Sequence, residues 1–334
     1  MKNKNTINYR HLLTISVCIL LPIVVQNKYY LHLFNMIGIY SLLAIGFNIL
    51  AGYTGQISLG QAAFYGIGSY AAAILHVKFN LSIWIVLPIA VIITCIFGVI
   101  IAIPALKVKG KYLVLLTIAF GEITRLILLN WVGLTKGPAG ILGIKAPTVF
   151  GFEIDSPMRF FYLISGFVIL GIIIEKKIVN SRIGRAFIAI REDEDAAELI
   201  GINLKSYKIK SFMISAAYSA AAGVLYAFMV GYISPDSFRY DESVSILSMS
   251  IVGGFGTIYG PIVGSIALNV LPEIFRPLSE FRMVFYGVIL IVTTMIYPGG
   301  LLKGFEAMLN KFQLKRKLKT PKNKDNILKS NKLY

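Results

Sequence analysis

The sequence predicts an all-α polytopic membrane protein with about ten transmembrane helices, eight clear and two short or glycine-broken. Three observations predict it. A mean hydropathy of +0.73 and a hydrophobic content of 56% are too high for a soluble globular chain of 334 residues. Apolar windows of bilayer length, roughly 20 residues, recur along the chain. These runs far exceed the ten or so alternating residues of a barrel strand, and backbone in hydrocarbon must satisfy its own hydrogen bonds, which leaves helices.

Taken in order, the windows lie near 12–26, 30–50, 58–76, 81–104, 112–130, 158–175, 211–231, 243–256, 261–275 and 281–298. The first follows Lys2, Lys4 and Arg10 as a signal peptide would, but Gln26, Asn27 and Lys28 follow in place of a small-residue cleavage site, so it reads as a retained span. Cys18 and Cys95 both fall inside apolar runs and read as packing residues.

Lysine and arginine set the orientation. Segments 1–11, 105–111, 176–210 and 301–334 hold 24 of the 33 basic residues. They are assigned to the cytoplasm, which puts both termini inside and agrees with an even number of spans. The organisation is then a cytoplasmic N-terminus at 1–11, a transmembrane domain over 12–304 containing a long cytoplasmic loop at 176–210, and a basic tail at 305–334 without a packed core. The net charge of +17 lies beside spans, so anionic membrane lipid is its expected partner and nucleic acid is not.

Two glycine-rich stretches interrupt the apolar sequence, AGYTGQISLGQAAFYGIGSYAAA at 51–73 and SIVGGFGTIYGPIVGS at 250–265. Each leads into a helix with small residues four apart: Ser58, Ala62 and Gly66, then Gly256, Gly260 and Gly264. That spacing lets helix backbones approach closely. Paired broken segments in the two halves also suit a translocation pathway between structural repeats. The pathway candidates are Gly55, Gln56, Ser58, Gly60 and Gln61 in the first stretch, and Gly253, Gly254 and Gly256 in the second. Polar residues in the first stretch and the free amides of a broken helix would suit a solute carboxylate.

Glu122 and Arg125 share one face of a span by their i, i+3 spacing. A charge inside a membrane is expensive, and pairing relieves it. Two readings fit, a pathway pair and a structural pair at a subunit contact. The external loop GYISPDSFRYDE at 231–242 reads as a turn with an acidic tilt.

Signals for bond chemistry are missing. GQISLGQA at 55–62 lacks the lysine of a phosphate-binding loop, and no HExxH, CxxC or GxSxG occurs. His11, His32 and His76 are scattered. No catalytic residue, metal site or cofactor is therefore assigned to this chain, and it is not read as an enzyme. Uphill transport would need an ion gradient or a separate ATPase.

Five of the sixteen acidic residues crowd into seven positions of the cytoplasmic loop: Glu192, Asp193, Glu194, Asp195 and Glu198. Acids at a helix start complement its dipole. Ala196, Leu199 and Ile200 form a narrow apolar stripe, Ala197 allows close approach, and Gly201 suits a helix stop.

The region SRIGRAFIAIREDEDAAELIGINLKSYKIKSFMISAAYSAAAGVLYAFMVGYISPDSF resembles the branched-chain amino-acid ABC transporter permeases, specifically the M-type membrane subunits. GFNILAGYTGQISLGQAAFYGIGSYAAA, KGKYLVLLTIAFGEITRL, IVGGFGTIYGPIVG and YPGGLLKG agree, and the resemblance covers about residues 38–304. It implies a type II ABC importer-like permease fold in a bacterial-type plasma (inner) membrane. It also implies four further subunits, namely a second related permease, two cytoplasmic ATPases and an external solute-binding protein. ATP and magnesium would belong to the ATPases, and leucine, isoleucine and valine would be the substrates. Sister branches take urea, amides or other amino acids. An ion-coupled secondary transporter is the alternative of a different class.

In these permeases an E-A-A-x-x-x-G element docks on the ATPase. Asp195, Ala196, Ala197 and Gly201 occupy the matching positions, with Asp in place of Glu and no clear continuation after Gly201. The resemblance thus implies docking by Arg191, Glu192, Asp193, Asp195, Ala196, Ala197, Leu199, Ile200 and Gly201.

Overall fold

A computed structural model describes residues 27–149, 151–274, 284, 287, 288, 291, 295 and 299–301. The span expected at 12–26, most of that at 281–298, both chain ends and Cys18 lie outside them.

The described chain is mostly helical. Helix α1 (Lys28–Phe47) runs on through a π-helical stretch, Asn48–Tyr53, to a break. After the break come α2 (Gln61–Phe79), α3 (Ile83–Ala105), α4 (Lys111–Asn130) and the single turn α5 (Val132–Thr135). Next are α6 (Pro157–Val179), α7 (Arg182–Glu192), α8 (Glu194–Leu199) and α9 (Leu204–Val230). Finally α10 (Tyr240–Gly253) and α11 (Gly260–Ile274) flank a second break. Short strands lie in loops between the helices. Strand β1 (Ile141–Leu142) pairs antiparallel with β4 (Tyr232–Ile233), and β2 (Thr148–Val149) pairs with β3 (Phe152–Glu153).

Five helical stretches are long and apolar enough to cross a membrane: Lys28–Tyr53, α3, α4, α6 and α9. The chain is a multi-pass membrane protein. Its outer faces are apolar, as shown by exposed Ile92, Ile96 and Ile100 on α3, Leu115 and Ile127 on α4, and Leu170 and Ile173 on α6. Hydrocarbon, not water, suits such faces. Inside, α9 packs against α1, α2 and α3, and carries its serines inward.

Helix α9 also serves as a depth scale. Its 27 residues span about 40 Å at 1.5 Å per residue. Ser211 lies roughly 10 Å from its N-terminal end and Ser219 roughly 22 Å. Gln61, the first residue of α2, binds Ser215 and Ser219, so α2 begins near mid-membrane. Helices α10 and α11, at 14 and 15 residues, reach only about 22 Å each, short of the roughly 30 Å hydrocarbon core. The windows read as two short spans are thus two arms of a broken hairpin.

The small-residue stripes divide in the same way. Gly260 and Gly264 do meet backbone, against Gly253 and Met249. In the first stretch the close approach falls elsewhere, where Gly68 lies against the Ala220 backbone and Gly223 against Tyr65. Gly66 instead accommodates the ring of Phe238.

Candidate functional site: an arm that meets two helix breaks

The first break, residues 54–60, is held by side chains. The Gln56 amide donates to Ser211 Oγ at 2.8 Å, and the Gln61 amide donates to Ser215 Oγ at 2.8 Å. The Ser219 hydroxyl returns a bond to Gln61 Oε1 at 2.8 Å. Thr117 on α4 accepts from the Leu59 N–H, Ser58 from the Gly60 N–H and Ser243 from the Ala62 N–H. Gln56, Ser58 and Gln61 are buried. The amides expected to be open for a solute carboxylate are therefore answered by the chain's own hydroxyls at Leu59, Gly60 and Ala62.

The second break, residues 254–259, is held by close backbone approach at its flanks and by one side chain, Asn48. A Cβ on Gly253 or Gly264 would collide with the facing helix, and Gly254 abuts Gly299. Gly256 adopts φ +69, a left-handed conformation that glycine takes without strain. Its N–H donates to Asn48 Oδ1 at 2.9 Å, while the Asn48 amide donates to the Thr257 carbonyl at 3.1 Å. A Cβ on Gly52 would lie 2.7 Å from the Gly256 nitrogen, so the π-helical stretch leading into the first break touches the second.

The arm formed by α7 and α8 reaches the same spot. The docking element expected over 191–201 is not one helix. Ser181 caps α7, whose last two residues are Arg191 and Glu192, and the chain turns at Asp193. Asp193 caps α8 by accepting from the Ala196 N–H at 3.0 Å. Glu194 and Asp195 fill the first turn of α8, where they complement the helix dipole. Gly201, at φ +85, ends it. The Gly201 N–H donates to the Glu198 carbonyl and the Ile202 N–H to that of Ala197, the paired bonds of a Schellman stop.

Ala196 and the large side chains of Leu199 and Ile200 stand out from α8, the last two 89% and 75% exposed, whereas Ala197 is buried against this chain. Several acids are already engaged within the molecule. Glu194 pairs with the buried Lys208 at 2.6 Å and with Lys109 at 3.4 Å, and Asp195 lies 3.5 Å from Lys109. The Asp195 and Glu194 carboxylates together raise the Lys109 pKa above its ordinary value. Glu192 pairs with Arg191 at 2.6 Å.

Arg191 turns inward as well. It donates to the Gly52 carbonyl at 2.8 Å. Its side chain lies where a Cβ on Gly55 or Gly256 would meet it, at 3.1 and 2.8 Å. Gly55, Gly256 and Arg191, which the sequence assigned to two different roles, share one junction. Glu122 and Arg125 are apart from it. They pair at 3.1 Å, and Arg125 also lies 3.9 Å from Asp236 of the outer loop. Two residues at the junction were missed by the sequence reading. Asn48 looks like one polar residue in an apolar run. Glu175, fully buried, accepts from the Asn48 amide at 3.0 Å but directly precedes Lys176 and Lys177, so it reads as part of a cytoplasmic charge run. Among the described residues no group of three or more His, Cys, Asp or Glu side chains could hold a metal ion.

A family model described as the permease component of branched-chain amino acid transport systems matches residues 29–294. The chain belongs to that family. It is 34% identical over 287 residues to the high-affinity branched-chain amino acid transport system permease protein LivM of Escherichia coli, covering 79% of this chain and 68% of that protein. The Salmonella typhimurium LivM is 33% identical over 291 residues, covering 80% and 68%. The high-affinity branched-chain amino acid transport system permease protein LivH of Salmonella typhimurium is 28% identical over 285 residues, covering 79% and 91%. No solved structure matches the chain.

Proposed function

We propose that this chain is the membrane-spanning permease subunit of an ATP-driven importer of leucine, isoleucine and valine in a bacterial-type plasma membrane. A second related permease, two cytoplasmic ATPases and an external solute-binding protein complete the importer. ATP and magnesium bind in the ATPases, and this chain performs no bond chemistry. The E. coli and Salmonella relatives are named as permeases of branched-chain amino acid systems, and this chain is similar to them over most of its length.

The observation that carries the reading is the arm. Two large apolar side chains, Leu199 and Ile200, stand exposed on α8, in the loop assigned to the cytoplasm. Such a pair fits an apolar groove on a partner. The same arm is bonded through Arg191 to Gly52 and packs against Gly55 and Gly256 of the two helix breaks, so a displacement of its tip is transmitted to the membrane interior. The substrate crosses as the spans alternate between outward-open and inward-open states.

Reconstitution tests this. The chain is placed in proteoliposomes with its partner permease, both ATPases and the binding protein, and radiolabelled leucine uptake is followed with and without ATP, with urea in parallel. Uptake of leucine that requires ATP and the ATPases is expected. Gradient-driven uptake by this chain alone would overturn the assignment.

A further inference from the structure

We propose that Glu175, acting through Asn48, is a positioning residue that latches the two helix breaks together at the root of the cytoplasmic arm. The proposal rests on the permease reading above and adds to it a second attachment point.

Glu175 is the fifth residue from the end of α6, just before the arm begins. Its side chain is fully buried, and Oε1 accepts one bond, from Asn48 Nδ2 at 3.0 Å. Oε2 has no hydrogen-bond partner among the described residues. A buried carboxyl so sparsely bonded is costly for a merely structural position. Its one partner, however, is the residue that joins the breaks. Asn48 opens the π-helical stretch leading into the first break. It accepts from the Gly256 N–H and donates to the Thr257 carbonyl of the second. Glu175 therefore ties to α6 an Asn48 amide whose orientation the Gly256 N–H and the Thr257 carbonyl also require. With the amide nitrogen turned to Glu175 and Thr257, the oxygen must face Gly256, and both sides of the second break are answered by one side chain.

The arm between Glu175 and Arg191 is thus tied at both ends to one junction, by Glu175 through Asn48 and by Arg191 through Gly52. Two attachment points resist rotation where one would act as a swivel. Pulling the arm then strains both bonds together, and the breaks part as a unit. Without Glu175 the Asn48 amide keeps its two bonds to the second break but loses its tie to α6, and arm motion is no longer matched to opening of the breaks.

Two readouts test this. In the reconstituted importer, Glu175→Ala is expected to insert and assemble, and to keep ATP hydrolysis. Leucine moved per ATP is expected to fall by about tenfold to a hundredfold, the effect of one lost buried hydrogen bond on a two-state equilibrium. Glu175→Gln, which still offers Asn48 an acceptor oxygen, is expected to restore coupling to within about twofold. The second readout does not depend on transport. Spin labels at Ile57 and Ile258, one in each break, are placed in the full chain with Cys18 and Cys95 replaced by serine. A narrow distance distribution is expected in the wild-type background and with Glu175→Gln, and a longer or broader one with Glu175→Ala. An unchanged distribution in Glu175→Ala, or transport per ATP equal to wild type, would overturn the latch. Absence of ATP-driven uptake in the wild-type assembly would instead strike the permease assignment and leave the distance measurement to decide the latch.

Discussion

The two helix breaks solve one problem in opposite ways. At 54–60 the chain leaves helical geometry inside a membrane and answers its polar groups with side chains: Gln56, Ser58 and Gln61 on the break, Thr117, Ser211, Ser215, Ser219 and Ser243 around it. At 254–259 it relies on the absence of side chains, so that Gly253 and Gly264 admit the facing backbone. The first break is specified chiefly by polarity. The second is specified chiefly by volume at its flanks, where Gly253 and Gly264 tolerate no Cβ. Each break should therefore fail under the substitution that the other survives.

The largest effect is expected at Gly253 and Gly264. Gly264→Ala puts a methyl group into the Met249 carbonyl, and helices α10 and α11 must separate along their length. A loss of about 3 kcal/mol or more is expected, read as a drop in the midpoint of thermal aggregation of the purified chain in detergent. A wild-type midpoint would show that the hairpin yields without cost.

Next comes Gln61→Leu, close in volume but unable to hold Ser215 and Ser219. Interhelical hydrogen bonds in membranes average about 0.6 kcal/mol each, so two lost bonds and two stranded hydroxyls predict about 1–2 kcal/mol. Gln56→Leu removes one bond, to Ser211, and predicts about half of that. Unfolding in mixed detergent would separate the two variants, and equal losses would contradict the bond count. The smallest effect is expected for Glu122→Gln, which lies outside both breaks. Its partner Arg125 keeps Asp236 nearby, and a change below about 1 kcal/mol is expected in the same assay.

What the sequence made legible follows from the range of the interactions. Eight of the ten expected windows fall on described helices, because hydropathy is a local signal. The breaks were visible as glycine clusters for the same reason. Their mutual contact was not visible, since Asn48 and Gly256 lie 208 positions apart and no periodicity links them. Arg191 reads as a surface charge among acids, yet its guanidinium turns back to Gly52. Ala197 belongs to the same short motif as Ala196, but one residue of helical rotation, about 100°, puts it inside while Ala196 faces out. Asp195, named among the docking residues, already lies 3.5 Å from Lys109 of the same molecule.

The account stands most directly on the exposed tip of the arm. The decisive measurement is ATP-driven leucine uptake and ATPase co-purification for a chain carrying Leu199→Asp and Ile200→Asp together. Both side chains are exposed, so insertion and thermal midpoint should match wild type. The account predicts that the ATPases no longer co-purify and that uptake is lost. Wild-type uptake with ATPases still bound would contradict it.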